Sequence, residues 1–118
     1  MNRPPNPSNP AITIPYDALA HFCRQRKILR LALFGSVLRP KDFGEDSDID
    51  MLATFAPESQ HTLLDLVQME SDLSHLFGRR VDLGEREAVD ADTNPIRRQS
   101  ILASQRVIFD ENRPRTSD

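Results

Sequence analysis

The sequence is poor in cysteine and lacks any long apolar run. Cys23 is the single cysteine among 118 residues, so the chain forms no internal disulfide and has no cysteine partner for a zinc site. Such a chain suits a reducing compartment. No apolar run approaches the roughly 20 residues of a membrane-spanning helix, and the segment MNRPPNPSNP lacks the apolar centre of a signal peptide. We therefore expect a cytoplasmic protein without membrane association.

An excess of positive charge is also missing. The formal net charge is -3 at pH 7, so the molecule as a whole does not attract nucleic acid. No aromatic and basic surface for a nucleic-acid strand is evident, and we do not expect a nucleic-acid partner. The length of 118 residues and the 38% hydrophobic and 28% charged content fit one globular domain.

The two ends differ in composition from the middle. Residues 1–10 hold four prolines and three asparagines, and such a segment buries too little apolar area to offset its ordering entropy. The C-terminal ENRPRTSD has the same character. We predict disordered tails at 1–12 and 112–118 around one folded domain at 13–111.

Between the tails, helical and strand patterns alternate. Strands are predicted at 28–34, 48–55, 79–85 and 106–110, and helices from Pro15, from Pro57–Glu58 to Gly78, and from Pro95 to about Ala103. Residues 37–47 begin with a turn of helix and continue as a loop. The predicted fold is of the α/β (α+β) class, a small mixed β-sheet flanked by helices. The order of the strands does not follow from the pattern.

Two aspartates begin the second predicted strand. Side chains two apart on a strand share one face, so Asp48 and Asp50 project together, with Ile49 facing the core. Adjacent carboxylates repel each other and raise each other's pKa. A divalent cation relieves that repulsion, and carboxylate oxygens are ligands that Mg²⁺ prefers.

A glycine and a serine end the first predicted strand. Gly35 lets backbone approach a ligand closely, and the N–H groups of such a turn favour phosphate. The Ser36 hydroxyl can donate to a phosphate oxygen. A phosphate-binding turn facing a carboxylate metal site is the arrangement that phosphoryl or nucleotidyl transfer requires.

Asp82 is a third candidate acid. It lies between Val81 and Leu83 on a predicted strand, where an aspartate is costly unless it is paired or ligated. It could bind a metal and accept the proton of an attacking hydroxyl. The alternative is an ordinary edge-strand aspartate paired with Arg79 or Arg80.

The aspartate pair also has simpler interpretations. Asp48 and Asp50 could cap a strand or lie in a turn. With Asp46 they also mimic the first half of a calcium-binding loop, but Met51 stands where that loop needs glycine and Pro57 where it needs glutamate. We reject the calcium loop.

The string LFGSVLRPKDFGEDSDIDML at 33–52 resembles the signature of the minimal nucleotidyltransferase (MNT) family of the DNA polymerase beta-like superfamily. That signature is Gly-Ser, about ten residues, Asp-x-Asp, and a later carboxylate on a following strand. The segment NPIRRQSILASQRVIFDE at 94–111 resembles the usual end of these domains. Either half of the signature alone would be weak evidence for the family, whereas the two halves together are specific to it.

The resemblance implies a role for each matching residue. Gly35 and Ser36 would hold the triphosphate of ATP, Asp48 and Asp50 would ligate two Mg²⁺ ions, and Asp82 would be the third metal-binding carboxylate and candidate base. The sequence departs from the pattern in two ways. The spacer 37–47 is one residue longer than expected, which Gly44 could absorb, and Val37 stands where many relatives carry arginine. Arg39 or Lys41 could supply that nucleotide-binding charge.

The resemblance extends to a biological role. Small members of the family, the MntA-type antitoxins, occur beside a helical HEPN ribonuclease toxin. The implied reaction is transfer of AMP from ATP to a tyrosine of the toxin, through which a larger assembly could form. Two alternatives stay open. The chain could neutralise its toxin by binding alone, or it could act on a small molecule or RNA.

Overall fold

The computed structural model describes residues 12–112. The tails predicted at 1–12 and 112–118 lie almost wholly outside those residues. Within the described part, the helices are α1 Tyr16–Gln25, α2 Leu63–Phe77, α3 Arg86–Asp90 and α4 Pro95–Ser104, and the strands are β1 Ile28–Phe34, β2 Ile49–Phe55, β3 Val81–Glu85 and β4 Arg106–Asp110. A 3₁₀ turn, Gly35–Leu38, follows β1. None of the helices of residues 12–112 is long and apolar enough to cross a membrane.

The four strands form one mixed sheet in the order β3-β2-β1-β4. β1 is antiparallel to both β2 and β4, whereas β2 and β3 are parallel. Parallel neighbours need a crossover connection, and α2 provides it. The predicted class, a small mixed sheet with flanking helices, is confirmed.

One face of the sheet packs against α1 and α2 and forms the core. The alternation of the strands sends every second side chain to that face. The buried cluster includes Leu19 and Cys23 of α1, Leu31 and Leu33 of β1, Ile49 and Met51 of β2, Met69 and Leu73 of α2, and Val81 of β3. The intervening positions of β2 and β3 lie on the opposite face, which is where the candidate acids are found.

Most predicted boundaries match the structure within two residues, with one clear exception. The helix expected from Pro57–Glu58 begins at Leu63. Thr62 is its N-cap: its side chain accepts a hydrogen bond from the Asp65 N–H, and the Asp65 carboxylate accepts one from the Thr62 N–H. This capping box fixes the start of the helix. The predicted end is confirmed, since Gly78 adopts the left-handed conformation at φ 68°.

The edge strand β3 is held by two side chains of α2. The Val81 N–H donates to Ser74 Oγ at 2.9 Å, and the Leu83 N–H donates to Glu70 Oε2 at 2.8 Å. These bonds satisfy the donors that an edge strand would otherwise expose. They flank Asp82 on both sides and therefore help to fix its position.

Candidate active site

Asp48 and Asp50 flank the buried first residue of β2. Ile49 is fully buried, at 0% exposure, and points into the core. Its two neighbours therefore project from the opposite face of the sheet, as predicted from the strand period. Asp50 is the second residue of β2, and Asp48 immediately precedes the strand.

The parallel pairing of β2 and β3 brings the third acid to the second. Ile49 is in register with Val81, and Asp50 is in register with Asp82. Adjacent strands lie about 4.8 Å apart, so Asp82 is the direct lateral neighbour of Asp50 on the same face. Asp50 and Asp82 are thirty-two positions apart in the sequence, and the crossover through α2 brings them together in space.

The three acids interact electrostatically. Partial burial raises the pKa of the Asp50 carboxyl above its usual range, and the negative charges of Asp82 and Asp48 raise it further. Across residues 12–112, however, no three His, Cys, Asp or Glu side chains are gathered around a point that could hold a metal ion. The acids thus lie side by side on the sheet face, with their negative charge only partly compensated.

Arg80 forms an ion pair with one of these acids. The Ile49 N–H donates to the Arg80 carbonyl at 2.9 Å, so Arg80 lies beside Asp48 in the ladder. Its Nε is 3.9 Å from Asp48 Oδ2, and the arginine side chain is 83% exposed. An ion pair this exposed contributes little to stability. An open cleft next to the pair is lined by residues 45–48 and 78–80.

The structure differs in one respect from the alternative interpretation of Asp82, since neither Arg79 nor Arg80 is paired with it. Asp82 is exposed on an edge strand, as that alternative required. Yet Arg80 pairs with Asp48, and Arg79 donates to backbone carbonyls of residues 44, 45 and 47. Among the ion pairs of residues 12–112, none includes Asp82.

Gly35 lies directly against Asp50. Phe34, the last residue of β1, is in register with Asp50, and the chain then turns through Gly35 at φ 77°. A β-carbon on Gly35 would lie 2.6 Å from Asp50 Oδ2. Both the left-handed φ and this contact favour glycine at position 35, and they place the turn beside the acids. The predicted approach of the Gly35 backbone to a ligand stays a prediction.

The rest of the Gly-Ser turn is a short 3₁₀ segment. Ser36 is half-buried, and its carbonyl accepts the Arg39 N–H at 2.8 Å. Val37 is fully buried in the core, which explains why an apolar residue occupies this position. The Arg39 guanidinium donates to Asp42 at 2.8 Å within its own exposed loop. The structure thus brings Gly35 to the acids and leaves the Arg39 side chain bound elsewhere.

The loop before Asp48 ends in a closed turn. The Gly44 N–H donates to Ser47 Oγ at 3.0 Å, and the Ser47 N–H donates to the Gly44 carbonyl at 3.2 Å. Arg79, which lies between α2 and β3, binds three backbone carbonyls of this turn. The sequence did not predict this role. A guanidinium that binds carbonyls across 32 or more positions leaves no local pattern in the sequence.

Comparison with known proteins identifies the family. The sequence profile of the nucleotidyltransferase domain matches residues 17–108. The chain belongs to the nucleotidyltransferase family. A solved structure assigned as a minimal nucleotidyltransferase is 31% identical, with a TM-score of 0.60 over 77% of this chain and 86% of that one. The resemblance to the minimal nucleotidyltransferases, drawn from residues 33–52, is therefore confirmed.

More distant structures share the fold of this nucleotidyltransferase. A toxin–antitoxin structure with AMP-PNP is 16% identical, with a TM-score of 0.60 over 82% of this chain and 74% of that one. A complex of the tri-AMPylated Shewanella oneidensis HEPN toxin with its MNT antitoxin is 15% identical, with a TM-score of 0.52 over 80% and 69% of the two chains. None of the curated proteins compared with the chain is similar to it in sequence.

Proposed function

We propose that this nucleotidyltransferase is Mg²⁺-dependent and transfers AMP from ATP to a hydroxyl group of a protein. The observation that carries the proposal is the placement of Asp50 between three elements of the predicted site. Asp82 is its lateral neighbour in register, Asp48 shares its electrostatic environment, and Gly35 lies against its carboxylate. Nucleotidyl transfer needs such a combination of acids and a phosphate-binding turn.

The donor set suits magnesium. Asp48, Asp50 and Asp82 offer carboxylate oxygens, which are hard ligands, and the raised pKa of Asp50 reflects negative charge that a cation would neutralise. Two Mg²⁺ ions held by these residues would neutralise the triphosphate and stabilise the attacking and leaving oxygens. Asp82 is exposed and Asp48 is half-buried, so both side chains have room to change rotamer when a metal ion binds.

The reaction assigns distinct tasks to the residues of this chain. The acceptor oxygen forms a bond to the α-phosphorus, and the bond from that phosphorus to the bridging oxygen breaks, so that pyrophosphate leaves. Asp82 accepts the hydroxyl proton. The N–H groups of the Gly35–Ser36 turn bind the triphosphate, and Ser36 donates its hydroxyl to a phosphate oxygen. Arg39 contributes its charge after releasing Asp42.

The proposed acceptor is a tyrosine of a HEPN-type toxin, and the chain would act as its antitoxin in the cytoplasm. Support comes from the fold shared with the antitoxin in complex with a tri-AMPylated HEPN toxin and with the toxin–antitoxin structure containing AMP-PNP. The family membership of this chain makes the chemistry consistent with AMP transfer. The partner would bring the acceptor to the face that carries Asp82.

The test is to incubate the purified chain with ATP, Mg²⁺ and a HEPN-type protein, taken from the neighbouring gene where that gene encodes one, and to determine the mass of the partner by mass spectrometry. We expect the mass to rise by one or more AMP units. The matched control is the Asp48→Ala/Asp50→Ala double variant, which should leave the partner unmodified. Neutralisation of the toxin by this variant, without any mass shift, would instead favour inhibition by binding alone.

A further inference from the structure

Arg79 joins the end of α2 to the loop that leads into Asp48. Its Nη2 shares two protons among three carbonyl oxygens, those of Gly44, of Glu45 at 3.1 Å and of Ser47 at 2.9 Å. Its guanidinium carbon lies 4.2 Å from the centre of the Phe43 ring. One side chain therefore contacts four residues of the turn 43–47, which we name the Arg79-bound turn.

The backbone of Arg79 is itself fixed. Its N–H donates to the Ser74 carbonyl at 3.2 Å, at the C-terminal end of α2, after Gly78 in the left-handed conformation. Two residues later, the Val81 N–H donates to Ser74 Oγ at 2.9 Å. The guanidinium thus extends from a backbone fixed between a helix and a strand to the loop that precedes Asp48.

The Arg79-bound turn ends next to Asp48. The Ser47 carbonyl, which accepts from Arg79 at 2.9 Å, belongs to the peptide whose N–H is that of Asp48. The following residue, Ile49, pairs with Arg80 at 2.9 Å. Asp48 itself precedes β2, so its backbone is held by Arg79 on one side and by the sheet on the other.

We infer that Arg79 is a positioning residue that sets the Asp48 carboxylate beside Asp50 by holding the Arg79-bound turn. This inference rests on the proposed function, in which Asp48 binds a metal ion. In this role Arg79 acts through the turn, because its Nη2 donates to three backbone carbonyls of that turn, and contact of its guanidinium with the nucleotide is not required.

The chemistry of arginine distinguishes this role from that of a simple positive charge. A planar guanidinium reaches several carbonyl oxygens and stacks on an aromatic ring at the same time. A lysine ammonium keeps the charge but is a compact point donor. If Arg79 acted as a charge on the triphosphate, lysine would restore function, whereas a positioning role requires the guanidinium.

The test compares Arg79→Lys, Arg79→Met and Phe43→Leu with Arg24→Met as the matched control. Arg24 also combines an ion pair, to Glu111 at 3.5 Å, with a ring contact, to Phe109 at 5.7 Å. It lies at the end of α1 that precedes β1, away from the acids. Hydrogen–deuterium exchange of the amides of residues 43–48, measured with neither Mg²⁺ nor ATP present, shows directly how readily the turn opens. Transfer rates are then measured over a Mg²⁺ titration.

We expect both Arg79 variants to speed exchange in 43–48 by about tenfold or more, since hydrogen bonds from a charged donor are among the stronger ones. Phe43→Leu should have a smaller effect, and Arg24→Met none. Both Arg79 variants should also lower the transfer rate by about tenfold and raise the Mg²⁺ concentration for half-maximal rate, while the melting temperature stays within the range of the control.

Two results would overturn the inference. One is unchanged exchange of residues 43–48 in Arg79→Met, and the other is wild-type activity in Arg79→Lys while Arg79→Met is inactive. Failure of the proposed function looks different, since the wild-type chain would then transfer no AMP while exchange in 43–48 still responded to Arg79.

Discussion

Asp82 lies opposite Asp50 in the parallel register of β2 and β3, and the charge of Asp82 contributes to the raised pKa of the Asp50 carboxyl. The chain therefore keeps like charges adjacent on one face of the sheet, at a cost to the stability of the metal-free protein. A carboxyl whose pKa is raised by neighbouring acids is more typical of a functional site than of a structural ion pair.

Asp50→Asn should raise the free energy of unfolding and lower the transfer rate. The folded-state pKa of Asp50 is raised from the usual 3.8, so the native state binds more protons than the unfolded state as the pH rises above that value. The free energy of unfolding then falls with pH through this window. At pH 7 in EDTA, urea denaturation should show the variant to be more stable than wild type, with the difference shrinking below about pH 4.

The same variant should transfer AMP at least about a hundredfold more slowly, roughly 2.7 kcal/mol of barrier. Asp17→Asn is the matched control, since it removes an equal charge from an exposed position of α1 and should leave the rate unchanged. Equal stability of Asp50→Asn and wild type in EDTA would contradict the electrostatic account, and wild-type rates would contradict the site assignment.

Gly35→Ala should damage both the fold and the site. The left-handed φ of 77° and the 2.6 Å approach to Asp50 Oδ2 together should lower the free energy of unfolding by about 1–3 kcal/mol and the transfer rate by about tenfold or more. Gly78→Ala is the control, because Gly78 has φ 68° but open space around a β-carbon. It should lose stability and keep its activity; equal activity of the two variants would argue against a role for the Gly35–Asp50 contact.

Cys23 should be chemically inert in the folded protein. It is fully buried, and burial raises the pKa of its thiol to about 12, so at pH 8 only about one molecule in ten thousand carries the reactive thiolate. Labelling with a thiol-specific disulfide reagent should be about a thousandfold slower than in guanidinium, where the thiol has its ordinary pKa. Rapid labelling of the native protein would show that α1 opens readily.

Thr62→Ala should destabilise the start of α2 by about 1 kcal/mol, the usual cost of losing an N-cap side chain. Ser59→Ala, in the turn before the helix, is the control and should change the free energy of unfolding little. Equal unfolding midpoints in urea for the two variants would show that the Thr62–Asp65 capping box contributes nothing measurable.

The strands were predictable because their runs of apolar residues are short and bounded by charge or glycine. β1 and β4 have the predicted limits, 28–34 and 106–110. The predicted start of α2 was wrong because Pro57 and Glu58 resemble a helix start. The helix begins instead after Thr62, which forms the capping box with Asp65, three residues later. The five-residue α3 is too short to give an apolar period.

The acids of the site were predictable to different degrees. The shared face of Asp48 and Asp50 follows from the period of a strand. The position of Asp82 depends on the register between β2 and β3, which the contacts of Ser74 and Glu70 help to set and which no local pattern reveals. The role of Arg79 depends on the path of a loop, and loops leave still less trace in a sequence.

The most direct test of the account compares ATP labelled at the α-phosphorus with ATP labelled at the γ-phosphorus, in the presence of Mg²⁺ and the HEPN-type partner. Nucleotidyl transfer predicts that α-label becomes covalently bound to the partner, that γ-label is released as pyrophosphate, and that Asp50→Asn abolishes both. Stable γ-label on the partner, or α-label transfer that survives Asp50→Asn, would contradict the assignment of Asp48, Asp50 and Asp82 as the centre of this reaction.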